Sequence, residues 1–189
     1  NVAFGCSRLG MRTAMITRVG DEQMGRFLIK TLADEGCDVS QIKIDPQHMT
    51  ALAILGIKDR QTFPLLFYRD NCADMAFCAE DVDETFIADC MALHLTGTHL
   101  STPTVRAGSL RALEYARKHN VRTLLDIDYR PVLWGLTTPS DGKTRYIASP
   151  EVTRQFQEIL GQFDLIVGTE EEFAIAGGSN DLIGSLRAV

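Results

Sequence analysis

No stretch of the 189 residues reaches the roughly 18 consecutive apolar residues that a membrane span requires, so no bilayer is expected as a partner. Basic blocks and stripes are also missing: 19 Lys and Arg stand against 25 Asp and Glu, a formal charge of -6, which argues against nucleic acid. The five cysteines (Cys6, Cys37, Cys72, Cys78, Cys90) are odd in number, far apart and never form Cys-x-x-Cys. That spacing excludes a zinc ribbon and a disulfide framework and fits idle thiols in a reducing compartment. The first residues carry no signal-peptide pattern, so a cytoplasmic location is expected. Neither Gly-x-Gly-x-x-Gly nor Gly-x-x-x-x-Gly-Lys-Ser/Thr occurs, which disfavours a dinucleotide-binding dehydrogenase and a P-loop. No internal repeat is present.

What remains is an ordinary globular composition, 45% hydrophobic and 23% charged, enough to bury one substantial core. Residues 1–10 read as a helix closed by Gly10, 13–19 as a strand, and 21–35 as a helix with Met24, Phe27, Leu28 and Leu32 at helical spacing and Gly36 as its stop. Three β-type runs follow at 39–44, 51–57 and 63–69, separated by Asp45-Pro46 and by Lys58 to Gln61. No helix intervenes between them, so antiparallel pairing in a small separate sheet is expected. Alternation then resumes: a helix near 83–90, a strand at 92–97, a helix from Ser101-Thr102-Pro103 to about His119, a strand at 121–127, a helix at about 150–162, a strand at 164–168 and a helix from Thr169. This order predicts right-handed βαβ units and a parallel sheet with helices on both faces. Asn1 opens directly on helical sequence, and Val189 lies inside an amphipathic stretch begun at Asp181, so the sequence reads as a piece of a longer chain.

The segment Thr123 to Trp134 holds the chemistry. An apolar run, Thr123-Leu-Leu, ends in Asp126-Ile-Asp-Tyr-Arg-Pro131, and polar groups at the carboxyl end of a parallel strand face the ligand crevice of an open α/β sheet. Arg130 there suits a bidentate grip on a carboxylate, keto oxygen or phosphate, or equally an ion pair with Asp126, Asp128 or a helix carboxylate. Asp128 accepts from sugar hydroxyls or from turn backbone. Tyr68-Arg69 ends the third β run, and Arg69 reads either as a substrate contact or as a solvated edge-strand cation. Thr169-Glu-Glu-Glu172 is a capping box in its own right. Gly20 and Gly25, flanking Asp21, are expected to serve turns and caps. His94 and His99 lack a third metal ligand at usable spacing and are expected to be packed or solvated.

Asp126-Ile-Asp-Tyr-Arg-Pro131 followed by Trp134 resembles the Asp-x-Asn-x-Arg loop of the PfkB/ribokinase family of carbohydrate kinases. Asn1-Val-Ala-Phe-Gly-Cys-Ser-Arg-Leu-Gly10 is similar to that family's Asn-Val-Ala…Arg-Leu-Gly helix, Arg18-Val-Gly-Asp-Glu-Gln-Met-Gly25 to its Gly-x-Val-Gly-x-Asp-x-x-Gly signature, and Gly168-Thr-Glu-Glu-Glu172 stands in the place of Asn-x-x-Glu. The resemblance implies a ribokinase-like α/β fold, a parallel-sheet sandwich with helices on both faces, whose core is 1–38 and 74–189 and whose small β-lid is 39–73. It implies that Asn1, Arg69, Asp128 and Arg130 bind substrate, and that Thr169 and Glu172 lie near the metal or phosphates without a direct metal ligand in the chain. ATP and Mg²⁺ are the implied cofactors, a sugar acid and ATP the implied small-molecule partners, and a homodimer through the lid is compatible with them.

The catalytic aspartate and the Gly-Ala-Gly-Asp helix start of the family do not occur in these residues, so no catalytic residue is assigned and no turnover is expected of a molecule ending at Val189. Thr169 in place of asparagine, with Asp-Ile-Asp-Tyr-Arg-Pro…Trp, resembles the subgroup that phosphorylates 5-dehydro-2-deoxy-D-gluconate to its 6-phosphate in inositol breakdown. A 2-keto-3-deoxygluconate kinase or another sugar kinase is the alternative within the class. Outside it stands a non-catalytic sugar-binding domain on the same scaffold.

Overall fold

In the computed structural model, which describes residues 1–57, 59 and 64–189, the expected first helix forms as α1 (Val2–Arg8). Gly10 ends it at φ +85°, a conformation that costs a side chain more than it costs glycine. The strand expected over 13–19 shortens to β1 (Thr17–Gly20), preceded by an isolated bridge between Ala14 and Asp38. Helix α2 (Gln23–Asp34) starts where the Glu22 carboxylate accepts the N–H groups of Met24 and Gly25. Gly20 and Gly25 are not turn residues. A Cβ on Gly25 would lie 2.2 Å from the Gly20 carbonyl oxygen, so both serve the close approach of α2 to the end of β1.

The run at 39–44 departs from the expected antiparallel pairing. It forms β2 (Ile42–Asp45), which lies parallel to β1 in the register Thr17↔Ile42 to Gly20↔Asp45. The reason is connectivity: α2 carries the chain back across the sheet, so the strand after it completes a βαβ unit. Antiparallel pairing holds for β3 (Leu52–Leu55) and β4 (Leu65–Tyr68), in register from Leu52↔Tyr68 to Leu55↔Leu65. The turn expected at Lys58 to Gln61 lies, Asp59 apart, outside the described residues.

The remainder follows the alternating pattern: α3 (Glu84–Ala88), β5 (Ala92–Thr96), α4 (Pro103–Lys118), β6 (Arg122–Asp126), α5 (Pro150–Leu160), β7 (Leu165–Val167), α6 (Glu170–Gly177) and α7 (Leu182–Ala188). Strands β5, β6 and β7 form a parallel sheet in that order. One apolar cluster joins β6 and the residues after it (Leu125, Ile127, Tyr129) to α5 and α6 (Phe156, Ile159, Ile175). A second joins α3 and α4 (Ile87, Val105, Ala116) to Phe77 and Leu93. The apolar stripe of α2 is largely uncovered, with Met24 48%, Phe27 58% and Leu28 38% exposed. All five cysteines are free thiols, and among the described residues no helix is long and apolar enough to cross a membrane.

Candidate active site at the strand ends

The apolar β6 ends in a sharp change of backbone. Ile127 and Tyr129 are fully buried, while Asp128 between them adopts φ +32°, a left-handed conformation unusual for a residue with a Cβ. This turn aims the Asp128 carboxylate away from the core. Its Oδ2 accepts from the Thr96 hydroxyl at 3.1 Å, and its Oδ1 meets Arg130 Nη2 at 2.6 Å. Arg130 Nη1 also donates to the Tyr129 carbonyl at 3.0 Å and stands 3.7 Å from Glu172 Oε1. The ion-pair alternative for Arg130 thus describes its present contacts, and Asp128 and Glu172 are its partners.

Glu172 is buried and both its oxygens accept backbone N–H groups: Oε1 from Tyr129 at 3.1 Å, Oε2 from Thr169 at 2.9 Å. With the Thr169 hydroxyl accepting from Glu172 N–H, the capping box expected from sequence is complete. The carboxylate therefore fastens the 127–130 turn to the start of α6. Among the described residues no group of three or more His, Cys, Asp or Glu is placed to hold a metal ion. Tyr129 is fixed from its other end, its hydroxyl donating to Ile147 O at 2.6 Å; burial pushes that phenol up to about 12, a little offset by its backbone partner.

Arg69 is not the solvated edge cation of the alternative reading. Its side chain is 16% exposed and its Nε donates to Asp74 Oδ2 at 2.5 Å. Next to that pair is His99, with Nε2 3.9 Å from Asp74 Oδ2 and its ring stacked on Phe77 at 6.2 Å. Burial, reinforced by the Arg69 charge, lowers the His99 imidazole to about 4 against the opposing pull of Asp74 and Asp128, so it is neutral near pH 7. His99 therefore feels both clusters: Arg69 with Asp74 on one side, and Asp128, the partner of Arg130, on the other. Sequence inspection missed Asp74 and His99 as members of this array. The available signal was a carboxylate and a histidine inside segments of small and apolar residues, where an unpaired polar side chain is costly.

A cavity of about 280 Å³ is lined by Thr17, Arg18, Thr50, Phe67, Arg69 and Asp74 among others; Arg130 does not line it. Arg18 on its wall was also missed. It forks onto Asp81 (Nε–Oδ2 2.6 Å, Nη2–Oδ1 3.0 Å) and reaches Asp45 at 3.1 Å, tying β1 and β2 to the segment after Cys78. Burial opposes the ionisation of Asp45, but hydrogen bonds from Gln47 N–H, His48 and Arg18 outweigh it and hold the carboxyl at about 2. A larger hollow of about 590 Å³ between α4 and α5, beside the Arg106–Glu158 pair, has no part in this array. Asn1 stands at the N-cap position of α1 without a side-chain capping bond and is exposed. Burial lowers the His94 imidazole below its usual range, opposed by the Asp126 charge.

The family model for "pfkB family carbohydrate kinase" matches residues 1–188. The 5-dehydro-2-deoxygluconokinase of Geobacillus kaustophilus (strain HTA426) is 37% identical over 175 residues, which cover 92% of this chain and 48% of that protein. The chain thus spans about half the length of the curated relatives it matches. Among solved structures, a PfkB protein from Polaromonas sp. JS666 superposes with a TM-score of 0.82 at 24% identity, over 98% of this chain and 59% of that one. A putative Ribokinase II from E. coli, in complex with ATP and Mg²⁺, gives 0.81 at 21% identity over 97% and 55%. The fold is the ribokinase-like α/β arrangement that the sequence resemblance implied.

Proposed function

This chain belongs to the pfkB family of carbohydrate kinases, and from that membership we propose that the whole protein transfers the γ-phosphoryl group of ATP to a hydroxyl of a sugar acid, 5-dehydro-2-deoxy-D-gluconate, giving its 6-phosphate in inositol catabolism. The observation that carries the reading is a pair of arginine–carboxylate contacts, Arg69–Asp74 and Arg130–Asp128, whose carboxylates both act electrostatically on the neutral, buried His99. Arginine forks suit the carboxylate and keto oxygens of such an acid, and Thr96 and Asp128 suit its hydroxyls. The antiparallel pair β3–β4 acts as the lid over this sugar, whereas β2 belongs with β1 in the body.

In phosphoryl transfer the protein's work is positioning and charge stabilisation, and this chain contributes the sugar side of it. ATP and Mg²⁺ are the proposed cofactors; the metal would neutralise phosphate charge, with Thr169 and Glu172 in its vicinity. The pair β3–β4 is the proposed contact of a homodimer, and a cytoplasmic location is proposed in keeping with the free thiols. The test is ADP release from ATP-Mg²⁺ with the complete gene product and a panel of 5-dehydro-2-deoxygluconate, 2-keto-3-deoxygluconate and neutral sugars. Selective turnover of the first is expected. Preference for a neutral sugar over both acids would refute the role given to the two arginines.

A further inference from the structure

Asp74 joins the segment after β4 to the body of the protein with only half of its carboxylate. Oδ2 accepts the Arg69 Nε–H, yet among the described residues Oδ1 is closed off from solvent and meets no donor. Buried carboxylate oxygens are almost always satisfied, because leaving one unpaired forfeits its hydration without return. His99 does not supply the missing donor: its Nε2 is 3.9 Å from the other oxygen, and its ring is held by Phe77. Nor does the backbone offer easy escape, since Asp74 lies in the short 3-10 turn Ala73–Ala76 whose first residue is buried. Asp74 and Arg69 line the same cavity, with Thr17, Thr50 and Phe67.

We propose that Asp74 is a specificity-determining residue, holding the Arg69 guanidinium with Oδ2 and accepting a hydroxyl of the bound sugar acid with Oδ1. The inference rests on the sugar-acid reading. The Asp74–Arg69 pair is neutral overall, so the donor that completes it is a neutral hydroxyl; an ammonium group would be repelled by the adjacent guanidinium. The cavity then selects an acid bearing a hydroxyl beside the oxygen that Arg69 contacts, and an analogue lacking that hydroxyl leaves Oδ1 orphaned.

The test is protein-observed NMR titration of the complete gene product with 5-dehydro-2-deoxy-D-gluconate and with analogues that each lack one hydroxyl. One analogue is expected to bind the wild-type protein weaker by on the order of 10-fold or more. Asp74→Asn keeps an acceptor for Arg69 and puts an amide NH₂ where Oδ1 stood, so parent acid and that analogue should bind it within about 3-fold of each other. Independently of any variant's folding, the ¹³C resonance of the wild-type Asp74 carboxyl should move with the parent acid and stay with the analogue. An undiminished gap in Asp74→Asn, equal binding of every analogue by wild type, or a carboxyl resonance that moves equally with both overturns the role of Asp74 alone. A complete wild-type protein that binds no sugar acid overturns the functional reading and this inference with it.

Discussion

Strands β6 and β3 are both short and both carry leucines, and the protein uses them in opposite ways. In β6, Thr123 and Leu125 are fully buried; in β3, Leu52 (46%), Ile54 (44%) and Leu55 (49%) are all exposed. The difference is the number of neighbours. Among the described residues β6 pairs on both edges and lies under helices, whereas β3 pairs with β4 alone. Apolar content thus measures what a strand can bury, and its partners decide what it does bury.

The contrast can be broken by substitutions on either side of it. The largest loss is expected for Arg18→Ala in the body, which leaves the buried Asp45 and Asp81 without their cation and should cost about 3–5 kcal/mol in denaturant unfolding. Leu125→Ala should cost about 2–5 kcal/mol by the same measurement, through lost transfer energy and a residual cavity. Next comes a pH effect from His99, whose folded value of about 4 lies below the usual histidine range. The unfolded chain binds this proton first as pH falls, so the contribution is fully present above about pH 6.5 and is lost down to about pH 4, up to about 3 kcal/mol. His99→Phe should flatten that part of the stability profile. Thr169→Ala should cost about 1 kcal/mol by removing the cap of α6. The smallest change, within about 0.5 kcal/mol, is expected for Ile54→Ala. A cost for Ile54→Ala equal to that of Leu125→Ala would abolish the distinction between the two strands.

Much of the architecture was legible because its signals are local. Periodicity, the Gly10 and Gly36 stops, Pro103 at the first turn of α4 and the Thr169–Glu172 box each placed a helix end within a few residues. The pairing of 42–45 was not legible, since an isolated strand sequence does not state which neighbour it will meet. The same holds for the site. Arg130 and Arg69 stood out as cations at strand ends, but their partners Asp128, Glu172 and Asp74 were fixed only when β6, α6 and the 73–76 turn came together. Glu172 shows the limit well: its capping role was readable from four residues, while its hold on Tyr129 N–H, 43 residues away, was not.

By itself the sequence determined the order of helices and strands, their caps and stops, and the positions at which charge interrupts apolar runs, because these depend on backbone preference and on neighbours three or four residues apart. Tertiary structure alone decided which strands pair, which apolar side chains leave water, and which carboxylate holds each arginine. Those outcomes depend on contacts between residues tens of positions apart, and only the closing of the chain on itself makes such contacts favourable enough to offset the entropy of forming them.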